Sequence, residues 1–72
     1  MQMDIIIRFG KAVRKLRRDQ GISQEELAER CGLHRTYISD VELGKRNVSL
    51  ENIERIATSL NKSIVELFME VM

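Results

Sequence analysis

Apolar residues recur along this chain at three- and four-residue spacing, and the pattern is interrupted at intervals by glycine and serine. Ile6, Phe9, Val13 and Leu16 mark one face of a first segment; Leu50, Ile53, Ile56, Ala57 and Leu60 mark one face of a later one. That spacing returns to the same side of a 3.6-residue helix and presents a single stripe for burial. The alternation that a strand needs is nowhere sustained. Punctuation sets the boundaries. Ser23 and Glu26 have the spacing of a capping box, and Ile22 and Leu27 that of a hydrophobic staple. Ser49 repeats the staple with Val48 and Ile53, and Ser63 repeats the box with Glu66. His34 is a weaker cap by residue type, yet Leu33 and Ile38 stand around it at staple spacing. Gly21, Gly32 and Gly44 follow the first three helical segments, where a left-handed residue ends a helix, and Asn61 can end the fourth. The pattern predicts an all-α chain of five short helices, near 4–20, 24–31, 35–43, 50–60 and 64–71. Gly10 costs its helix about 1 kcal/mol against Ala; it either allows a close helix contact or is simply tolerated.

At 72 residues the chain is expected to be one domain, residues 1–72. A domain this short buries only about 60% of its unfolded surface, so its core is small and a second copy would help it. It has no nucleophile–base pair, no metal-ligand spacing and no glycine-rich phosphate loop. The expectation is a protein that is not an enzyme and takes no cofactor and no metal. Cys31 is the only cysteine, which leaves no intramolecular disulfide, fits a reducing cytoplasm and reads as a small core residue. Ile5-Ile6-Ile7 is too short for a signal-peptide core, and no run approaches membrane-spanning length, so no membrane partner is expected.

The net charge of +1 does not by itself point to nucleic acid. Its distribution says more. Residues 1–18 carry six basic groups and one acid, whereas Asp19, Glu25, Glu26 and Glu29 outweigh Arg30 in the next stretch. Further basic groups stand at Arg35, Lys45 and Arg46, and the segment after Val48 is net acidic.

The second and third helical segments are joined by Gly32-Leu33-His34, a three-residue turn of the helix-turn-helix kind. Leu27, Ala28, Cys31, Ile38 and Val41 can hold the pair together. The turn alone is a weak signal. The surrounding runs add to it: Gly21-Ile22-Ser23-Gln24-Glu25-Glu26-Leu27-Ala28, Gly32-Leu33-His34-Arg35-Thr36-Tyr37-Ile38-Ser39 and Glu42-Leu43-Gly44-Lys45-Arg46-Asn47. Together they resemble the Cro/cI (XRE) helix-turn-helix regulators over residues 9 to about 61. One departure is Val48, where many members have Pro before the Ser cap. The bare single-domain size and the Arg-Thr-Tyr-Ile-Ser start of the third helix are similar to the controller proteins of restriction–modification systems. The resemblance implies a compact five-helix lambda-repressor-like domain that binds double-stranded DNA.

The third helix is then the recognition helix, with its N-terminal residues toward the major groove. Arg35 has the planar fork to donate to guanine O6 and N7, and Thr36 can meet a base by hydroxyl or a thymine by its methyl. Ser39 and Asp40 follow on the same side of the helix; Asp40 can accept from cytosine N4, at a cost near phosphates unless that bond forms. Tyr37 contacts DNA or packs beside the turn, and His34 is read as a helix-start or phosphate-side residue. Lys45, Arg46 and Asn47 suit phosphate contacts, which set register, although Arg46 could reach a base edge. Gln24 opens the second helix, whose free N–H groups favour an anion. The resemblance places a phosphate at Gln24 and an internal ion pair between Arg17 and Glu42.

In the last segment Ile64, Leu67, Phe68 and Val71 supply a stripe for the core. Val65, Met69 and Met72 form a second stripe, read as the interface of a homodimer; the bland alternative is that they cover helix four or fray. The expected function is a transcriptional regulator acting as a homodimer on an inverted-repeat operator, plausible targets being restriction–modification genes that include its own. RNA polymerase is a further candidate partner. The alternative is an antitoxin that neutralises a partner protein and represses its own operon.

Overall fold

The computed structural model describes residues 4–72. The described residues form five helices and no strand: α1 (Ile5–Asp19), α2 (Gln24–Cys31), α3 (Arg35–Glu42), α4 (Leu50–Ser59) and α5 (Ile64–Val71). The expected segments differ only at residues that prove to be caps. Asp4 caps α1 by accepting from the Ile6 N–H at 2.7 Å, a cap that the residue pattern did not single out. Ser23, Ser49 and Ser63 each accept from the N–H three residues on. His34 makes no side-chain capping bond.

The Ser63–Glu66 capping box is complete, with Glu66 Oε1 accepting from the Ser63 N–H at 2.8 Å. The expected box at Ser23 is only half made. Glu26 reaches forward along the helix to Arg30 at 2.7 Å, because a guanidinium one turn away is a stronger partner than a neutral amide. Gly32 takes φ +69°, the left-handed conformation that lets α2 stop and the chain turn directly into α3. Asn61 ends α4 with φ +58°.

The core gathers Phe9, Val13 and Leu16 from α1, Leu27 and Cys31 from α2, Ile38 and Val41 from α3, Ile56 and Leu60 from α4, and Leu67 and Val71 from α5. Helix α1 packs against α3 and α5, α2 against α3 and α4, and α4 against α5. Gly10 sits at the α1–α3 crossing. A Cβ there would collide with the Val41 carbonyl oxygen and come within 3.0 Å of that of Glu42, so the glycine permits a backbone approach that no larger residue allows.

Two expected core positions lie outside. Leu50 shares the α4 stripe by spacing but is 81% exposed, since it occupies the first turn, beyond the helices that cover Ile56 and Leu60. Ile64, in the first turn of α5, is 42% exposed for the same reason. No helix among the described residues is long and apolar enough to cross a membrane.

Candidate nucleic-acid interface

The exposed side of the helix-turn-helix is built at the start of α3. Ile38, Val41 and Glu42 are buried, which turns Arg35 and Thr36 to solvent and leaves Ser39 and Asp40 half-buried on the neighbouring stretch of the surface. Arg35, Thr36, Ser39 and Asp40 follow one another at i, i+1, i+4 and i+5, one side of the helix. His34 is exposed just before them, and Lys45, Arg46 and Asn47 are exposed in the α3–α4 loop.

An ionic knot holds α1 and the two helices of the motif in register. Arg17 donates from Nε to Glu42 Oε2 at 2.6 Å and from Nη2 to Glu42 Oε1 at 3.0 Å, and its Nη1 donates to the Ile22 carbonyl at 2.9 Å. Gln24 adds a bond from Nε2 to Glu42 Oε1 at 3.0 Å. One carboxylate, its side chain 3% exposed, thereby joins the second half of α1, the first residue of α2 and the last of α3. Every buried side-chain nitrogen and oxygen among the described residues has a hydrogen-bond partner. The Gln24 amide faces Glu42 in the free protein, a role that nothing in the residue pattern indicated. Its second amide hydrogen and the backbone N–H groups of the α2 start are what remain for an anion.

Tyr37 joins α3 to α4. Its hydroxyl accepts from Asn52 Nδ2 at 3.1 Å, and its half-buried ring packs against the core. The Arg46 guanidinium lies 5.0 Å from the ring centroid, within cation–π range, and Arg46 Nε stands 3.7 Å from Asp40 Oδ2. Arg46 is thus steered by two residues of α3. Asn52 was missed in the sequence because an amide on a polar helix face carries no periodic signal. Cys31 is buried, and burial pushes its thiol pKa up, which keeps it protonated and opposes a reactive role. Among the described residues no cluster of three or more His, Cys, Asp or Glu could hold a metal ion.

The family model described as "Helix-turn-helix" matches residues 13–67. The chain belongs to the helix-turn-helix family of XRE type. It is similar to control protein C.MunI from a Mycoplasma species, 48% identical over 69 residues that cover 94% of this chain and 93% of the relative. The crystal structure of the restriction–modification controller protein C.AhdI from Aeromonas hydrophila superposes with a TM-score of 0.85 at 49% identity, covering 88% of this chain and 96% of that one. A third match, at a TM-score of 0.89 and 31% identity, covers 97% of this chain and 92% of the controller protein C.Esp1396I, solved as a tetramer in complex with its natural 35 base-pair operator. The chain is a DNA-binding regulator of the kind to which these controllers belong.

Proposed function

We propose that two copies of this chain bind an inverted-repeat operator and regulate restriction–modification genes, including the chain's own. The observation that carries the reading is the likeness to a control protein, which extends over 94% of this chain and 93% of that one. The site supports it in detail. Arg35 and Thr36, exposed at the start of α3, read base edges, with Ser39 and Asp40 extending the contact along the groove. Lys45, Asn47, His34 and the start of α2 at Gln24 take phosphates, which set the register of the helix. Arg46, held between Tyr37 and Asp40, serves either a phosphate or a base edge at the end of the site.

The homodimer reading rests on α5. Val65, Met69 and Met72 are 70%, 73% and 82% exposed and border one apolar hollow with Ile64 and Phe68. A contiguous apolar face of that kind marks an interaction surface, and a two-fold axis through it sets two recognition helices about one turn of DNA apart. Selection of bound sites from random DNA tests the proposal. The expected product is an inverted repeat with half-site centres about 10–10.5 bp apart. Recovery of single half-sites or direct repeats would overturn it. An endonuclease and a methyltransferase encoded beside the chain are the expected genomic setting for the controller role.

A further inference from the structure

The apolar face of α5 is too small to hold a dimer by itself. Its large exposed apolar side chains are Ile64, Val65, Met69 and Met72, and four side chains fall short of the roughly 800 Å² that each partner buries in a stable interface. The apolar surface continues past them. Phe68, which borders the α5 hollow, is also a wall of a second cavity of about 160 Å³. The other apolar walls are Ile5, Ile6, Phe9, Val48 and Ile53, and Arg46 and Asn47 of the α3–α4 loop complete the lining. Ile5 is 47% exposed, and Leu50, 81% exposed, stands one turn before Ile53 on the same side of α4. Exposed apolar groups therefore run from α5 across Phe68 to the starts of α1 and α4.

We propose that this cavity is a socket for an aliphatic side chain of a second copy of this chain, and that filling it braces the loop carrying Arg46 and Asn47. The inference rests on the homodimer reading and adds how far the interface extends and what it touches. The hollow is open to solvent on one side and has a volume of about 160 Å³, room enough for one Leu or Met side chain, whose entry would displace water from its apolar walls. A two-fold interface repeats each contact, so each copy fills the other's socket. Val48 follows directly on Asn47 and forms part of the wall, so a guest in the socket restrains the backbone that leaves the recognition helix. Dimer formation thereby adds a second restraint to a loop whose Arg46 side chain Tyr37 and Asp40 already hold in the single copy.

The test compares wild type, Val65→Asp, Leu50→Asp and Val48→Phe by sedimentation equilibrium and by backbone amide spectra over a range of concentrations. The amides of Arg46, Asn47 and Val48 should shift in step with the dimer fraction. Leu50→Asp, at an exposed position, should leave the fold intact and raise the dimer dissociation constant about tenfold or more. Val48→Phe should occupy the socket from within and weaken the dimer likewise. A dimer unaffected by Val65→Asp would overturn the homodimer reading, and this inference with it. Dissociation by Val65→Asp, with wild-type dimerisation of both Leu50→Asp and Val48→Phe and with unmoved loop amides, would overturn the socket alone.

Discussion

Arg17 and Glu42 meet through two parallel hydrogen bonds of 2.6 and 3.0 Å, across 25 residues of sequence, with side chains only 12% and 3% exposed. The pair is buried inside the motif and braces it. Removing either partner leaves the other charge buried, at a cost of about 3–5 kcal/mol. That is a large share of the stability of a domain this size. Urea unfolding of Glu42→Ala and Arg17→Ala should show the loss, and a double replacement by apolar residues should recover much of it. A Glu42→Ala protein that unfolds like the wild type would contradict the structural role.

Gly10→Ala separates local preference from packing. Helix propensity alone favours alanine by about 1 kcal/mol. The new Cβ, however, meets the Val41 and Glu42 carbonyl oxygens, which are backbone atoms and cannot swing aside. The substitution should destabilise by about 1–3 kcal/mol, as overpacking does. A gain in thermal unfolding midpoint would mean that α1 and α3 stand further apart.

Arg35 and Lys45 should fail differently on DNA. Arg35→Ala should cost about 1–3 kcal/mol on the selected operator and relax preference at one position per half-site. Lys45→Ala should weaken selected and random DNA alike and reduce the salt dependence. Binding isotherms at two or more salt concentrations distinguish them, and an equal loss by Arg35→Ala on both DNAs would reduce Arg35 to a phosphate contact.

The capping box of α5 should respond to acid. Bonds from the Ser63 backbone N–H and then from its hydroxyl hold the Glu66 carboxyl below its ordinary pKa. A depressed pKa contributes stability above the unfolded value, and the contribution is lost as pH falls through the folded value. Stability should therefore decline less between neutral pH and about pH 3 in Glu66→Gln than in the wild type. The difference in urea midpoints measures it, and equal declines would show that the charged box adds nothing.

What the sequence determined by itself is what a few consecutive residues decide. Ser23, Ser49 and Ser63 cap helices because their hydroxyls reach an N–H three residues on, and Gly32 and Asn61 end helices because they tolerate left-handed backbone. Those signals, together with the apolar stripes and the glycine stops, located all five helices among the described residues and the turn between α2 and α3, and with the surrounding motifs they identified the family. Tertiary structure decided the rest. Periodicity assigned Leu50 and Ile64 to the core stripe, but it cannot tell where a neighbouring helix stops covering them. Gly10 reads in the sequence as a cost to its helix, and only the crossing of α3 shows why a glycine stands there. The pairing of Arg17 with Glu42 was legible only through family resemblance. The Gln24 bond to Glu42 and the Tyr37 bond to Asn52 had no local signal, because each joins groups 18 and 15 residues apart that meet only once the helices have packed.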